Sequence, residues 1–112
     1  MTTTLTTVAQ EEGTYIITAA FTDEGDSAVT PNVITWTLTD RDGDVINSRE
    51  DVSVDTPASS IDIVLSGDDL AIGTNGISRV LLVEATYDSD AGSDLPLKGQ
   101  VRFNIDDYVA VT

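Results

Sequence analysis

The chain contains no cysteine and no histidine. The first absence excludes disulfides, a thiolate nucleophile and cysteine-based metal sites. The second leaves serine hydroxyls without the imidazole that usually activates them. Cations are scarce as well: 5 Lys plus Arg stand against 20 Asp plus Glu, for a formal net charge of −15, and Lys98 is the sole lysine. A surface of that sign repels phosphate, so neither nucleic acid nor an anionic membrane is expected as a partner. No apolar run approaches the roughly 18 residues of a membrane-spanning helix. Met1-Thr2-Thr3-Thr4-Leu5 has neither a basic n-region nor an apolar h-region, so no secretory signal is expected.

What is present is a train of short alternating segments rich in Thr and Asp. With 112 residues and 40% hydrophobic content, the chain suits one domain, residues 1–112, built on one core. Residues 5–8 predict a weak first strand. Residues 14–22 predict a second, with Tyr15, Ile17, Ala19 and Phe21 on one face and Thr18 and Thr22 on the other. Residues 33–39 alternate most strictly: Ile34, Trp36 and Leu38 against Thr35, Thr37 and Thr39. Period-two alternation marks a strand with one buried and one wet face, and β-branched Thr suits the wet side of the pleat.

Asp42-Gly43, inside Asp40-Arg41-Asp42-Gly43-Asp44, predicts a hairpin turn with residues 45–48 as the return strand. Val52 and Val54 mark a short strand, and Pro57 a connection. Ile61, Ile63 and Leu65 alternate with Asp62 and Ser66, and residues 67–73 predict one helical turn. In residues 79–87, Glu84 sets the parity. If Glu84 faces water, then Leu81, Val83, Ala85 and Tyr87 face the core, and Val80 and Leu82 point out. Residues 98–105 predict the last strand, with Val101, Phe103 and Ile105 inward. No helical period persists, so the expected fold class is all-β, a β-sandwich of seven to eight antiparallel strands.

A tryptophan on the third predicted strand, Trp36, resembles the immunoglobulin-like sandwich. The resemblance implies that Ala19 and Ala85 occupy the positions of the paired cysteines of antibody domains. More narrowly, residues 33–47 (VITWTLTDRDGDVIN), 61–72 (IDIVLSGDDLAI) and 79–105 resemble small structural proteins of tailed bacteriophages. That likeness implies a virion component, either a capsid decoration protein or a neck or tail accessory. It would be assembled in the host cytoplasm and work by contacts with other virion proteins in a symmetric multi-copy array. The competing function is an immunoglobulin-like adhesion or carbohydrate-binding module of a cell-surface protein.

Three acidic clusters invite a test for Ca²⁺, which takes several oxygen ligands from flexible loops. Asp88, Asp90 and Asp94 fall in the expected loop between the last two strands, but lack the distal Glu of an EF-hand loop. Asp40, Asp42 and Asp44 are explained by the hairpin turn, and Asp68-Asp69 by capping of a short helical turn. Solvated turns are the expectation, with no metal site, no cofactor and no catalytic residue. Acidic, lysine-poor surfaces also suit high salt.

The candidate contact surface is the outer face of the last two strands. There Val80 and Leu82 stand beside Lys98, Gln100, Arg102 and Asn104, an apolar strip with a polar rim. The second candidate is the strand-prone stretch Tyr108-Val109-Ala110-Val111, suited to completing a sheet edge in its own domain or in a neighbour.

Overall fold

The structure, a computed structural model, describes residues 2–108, with the side chains of Thr2 and Thr3 excepted. The described chain is all-β. In order it forms β1 (Thr2–Thr4), β2 (Ala9–Gln10), β3 (Thr14–Ala20), β4 (Val33–Thr39), β5 (Val52–Ser53) and β6 (Ser60–Ser66). A 3₁₀ turn at Gly67–Leu70 follows, then β7 (Ser78–Ser89) and β8 (Gly92–Asp106). The larger sheet runs β1-β8-β7-β4-β5, with β2 also on β8, and a two-stranded sheet pairs β3 with β6.

The larger sheet is mixed, not wholly antiparallel. Thr2–Thr4 run parallel to β8 opposite Gln100, Val101 and Arg102, and Ala9–Gln10 resume that pairing opposite Ile105 and Asp106. From Thr4 to Ala9 the chain uses five steps where β8 uses three, so after Leu5, whose N–H still donates to the Arg102 carbonyl, residues 6–8 bulge away from the ladder. The strand expected there is therefore replaced by two short ones on either side. Leu5 turns toward the core while Val8 is left exposed.

The alternating segments fold as their period dictates. Ile17 on β3, Ile63 and Leu65 on β6, Trp36 and Leu38 on β4, Leu81 on β7, and Phe103 and Ile105 on β8 form one buried cluster between the two sheets. Tyr15 stacks on Phe103 with ring centroids 4.7 Å apart. A second cluster joins Phe21, Ile34 and Ala85, with Ala19 packed against it. Trp36 pairs with Val83 and Val52 across its strand, while Ala85 pairs with Ile34.

Two turns differ from expectation. Residues 45–48 form no return strand. Val45 makes a single bridge to Thr39, and then Asn47 and Ser48 take positive φ, which breaks the ladder while still burying Ile46. Conversely, residues 88–94 are no loop. β7 continues to Ser89, only Asp90 and Ala91 turn, and β8 begins at Gly92. Asp88 accepts the Asp94 N–H at 2.9 Å and the Asn32 side-chain amide at 2.9 Å, so side chains hold this end of the hairpin where the apolar pattern has faded.

Candidate functional site

The sequence-predicted contact face comes together as strand register requires. Val80 lies opposite Arg102, Leu82 opposite Gln100 and Glu84 opposite Lys98. On the other flank Thr39, Thr37 and Thr35 stand opposite the same three β7 residues. Val80 and Leu82 are half-buried, not fully exposed, because β7 is an inner strand and threonines on one side and long polar chains on the other shield them. Lys98 and Arg102 are exposed, and the Lys98 ammonium pairs with Glu84 at 3.3 Å. Tyr108 lies apart from this face. Its backbone N–H donates to the Glu11 carboxylate, next to the β2–β8 pairing. Val109 lies outside the described residues.

The acidic clusters serve the backbone. Asp40 is buried, and its Oδ1 accepts the N–H groups of Asp42 and Asp44, while its Oδ2 accepts the Asn75 amide. The Asn75 bond first, and then the turn's N–H groups, hold the Asp40 carboxyl below the usual range against the opposing effect of burial. Asp88 is likewise lowered, by the Asp94 N–H and then by Asn32. Among the described residues no group of three or more acids is arranged to hold a metal ion.

Asp69 does more than cap a turn. It is fully buried and accepts from Arg49 Nε at 2.8 Å, the Asn47 amide at 3.0 Å and the Ser66 N–H at 3.1 Å. Burial would raise its pKa, but the Arg49 and Asn47 bonds and the Ser66 N–H outweigh that and hold it below the usual range. The Arg49 guanidinium also lies 5.9 Å from the centre of the Trp36 ring, so it links the chain after Ile46 to the 3₁₀ turn and the core.

Three features escaped the sequence reading. Arg79 is fully buried, and its guanidinium donates to the carbonyls of Ala71, Gly76 and Ser78. Its core-facing parity, shared with Leu81, was the available signal. Ile16 and Val64 form a cross-strand pair on the outer face of the small sheet, 58% and 53% exposed. Ile16 stands on the polar parity of its strand, which marks it in the sequence.

The third feature is an apolar groove between the sheets, about 260 Å³, where residues 17–22 face residues 97–101 over Leu81 and Val83. It needs the tertiary arrangement to be seen. Compared with known proteins, the chain matches no protein family, no curated protein and no solved structure.

Proposed function

We propose that this protein is a non-enzymatic structural component of a tailed-phage virion, with an immunoglobulin-like sandwich that acts through protein–protein contacts. Capsid decoration is the first assignment, and neck or tail accessory the second. The strand order supports the fold reading. A β3–β6 sheet packed against β5-β4-β7-β8, with an N-terminal strand parallel to the last one, agrees with an immunoglobulin-like arrangement. So does the position of Ala19 and Ala85 in one cluster. The virion reading rests on the likeness of residues 33–47, 61–72 and 79–105 to small phage structural proteins.

The observation that carries the contact reading is the outer face of β7 and β8. Val80 and Leu82 lie in register with Arg102 and Gln100, and Lys98 follows on the same face. A molecule of net charge −15 meeting copies of itself or an acidic shell needs its few cations at the contact, because like charges across an interface cost several kcal/mol.

The test is incorporation. The double variant Leu82→Asp with Arg102→Glu is expected to fold, by circular dichroism, and to be absent from assembled particles on a density gradient that carry the wild-type protein. A folded double variant present at wild-type level would remove this face. Failure of the wild-type protein itself to sediment with particles would remove the virion assignment.

A further inference from the structure

The groove beside β3 is open where a sheet would normally continue. Among the described residues β3 pairs in a ladder only with β6; residues 5–7 lie beside its first half, near residues 15–18, and no strand lies beside its second half. β8 is covered on its outer edge by β1 at Gln100–Arg102 and by β2 at Ile105–Asp106, and among the described residues no strand pairs with its run from Gly92 to Gly99 on that side. The groove lies between residues 17–22 and 97–101, so the bare edge of β8 borders it at residues 97–99. Unpaired strand edges of this kind are templates for another strand.

Charge and shape select what fits. No acidic residue lines the groove, although the chain carries 20 of them, and Lys98 sits at its rim. An uncharged extended segment can therefore enter without like-charge repulsion. Gly99, which faces the core side with Val101, adds a second observation. A β-carbon built there meets nothing within 4 Å, and its φ is not in the left-handed region. Glycine inside a strand weakens it, and often marks the close approach of another backbone.

The chain holds a segment of that chemistry in Tyr108-Val109-Ala110-Val111-Thr112, which is uncharged and strand-prone. In an extended segment Val109 and Val111 share one face. The space over its own Gly99 is out of reach. From Asp106 to Val111 is five residues, about 17 Å at full extension. From Asp106 back to Gly99 is seven residues of β8, about 23 Å at roughly 3.3 Å per residue.

We propose that the groove binds the segment of residues 108–112 from a second copy of this chain, as a strand added to the free edge of β3 with Val109 and Val111 of the donor filling the space over Gly99. Donor and receiver are different patches, so the contact is heterologous and propagates into a ring or a filament. This inference stands without the virion assignment.

Sedimentation velocity of the full chain tests it, from about 10 µM to about 1 mM, the latter matching a weak contact of roughly 4 kcal/mol. The wild type is expected to associate with rising concentration. Val109→Asp with Val111→Asp, and separately Gly99→Val, are expected to remain monomeric. Mixing these two variants is expected to give a one-to-one complex and nothing larger, since one supplies only the groove and the other only the tail. If Gly99→Val does not fold, by Trp36 fluorescence, the exposed rim variant Ala20→Asp takes its place. A wild type that stays monomeric at about 1 mM overturns the proposal. So does association unchanged in both variants, or a mixture that stays monomeric. The double variant Leu82→Asp with Arg102→Glu is expected to associate as the wild type does, which separates this contact from the outer face of β7 and β8.

Discussion

Asp69 and Asp40 are the residues through which pH reaches the core. Both carboxyls sit below their ordinary range because side-chain and backbone donors favour the ionised form. A depressed folded-state pKa contributes stability that is complete above the unfolded value, about 3.9 for Asp, and is lost as pH falls through the folded value. The predicted consequence is specific to the Asp69 cluster. Asp69→Asn is expected to cost about 2–3 kcal/mol near pH 7, since charged hydrogen bonds from Arg49 and the Ser66 N–H weaken or are lost. In urea titrations the gap between variant and wild type should narrow progressively below about pH 4. A gap independent of pH would show that the loss is one of packing. The cluster was hard to see in the sequence because Asp68-Asp69 looks like surface capping, and nothing local says that Asn47 and Arg49 arrive from another turn to neutralise it. Trp36 was legible for the opposite reason: Ile34, Trp36 and Leu38 declare one buried face by their spacing alone.

At the scale of elements, what the sequence made legible follows the length of the alternation. β3, β4, β6 and the core-facing half of β7 each carry several period-two repeats, so their faces could be assigned without a partner in view. β1 and β2 carry at most three residues each and exist because β8 offers them an edge. Such pairings leave no periodic trace. Parity places Val80, Leu82, Lys98 and Arg102 on one face, as the register does, but the shielding of Val80 and Leu82 by their cross-strand neighbours depends on β7 being an inner strand, which parity does not encode. The turn after β4 carries its own prediction. Gly43 holds φ at 94°, with its N–H on the Asp40 carbonyl at 3.2 Å. Gly43→Ala forces an L side chain into that region and is expected to cost about 1–2 kcal/mol, although a methyl group there meets open space. Equilibrium unfolding of Gly43→Ala checks this. A loss below about 0.5 kcal/mol would show that the turn relaxes to another geometry.

For the whole molecule, charge and topology set the behaviour. A net charge of −15 on 112 residues pushes the folded state apart. Raising salt from about 0.01 M to about 1 M shortens the screening length from roughly 30 Å to 3 Å, so the melting temperature should climb over that range. A flat or falling melting temperature would mean that the attraction within pairs such as Arg49–Asp69 outweighs the repulsion among the rest. The ladders joining β1 and β2 to β8 bring Thr2 against Gln100, 98 positions away, and Ala9 against Ile105. On a ribosome, therefore, the first strands of the nascent chain wait for the last one. β3 and β6 can pair, and β4 can meet β7, while residues 2–10 remain without their partner until β8 has emerged. Contacts of such long sequence separation slow folding, because the loop must close before any pairing rewards it. During that interval the unfinished edges are open to other nascent chains, and the dense negative charge that weakens the finished fold keeps those chains apart.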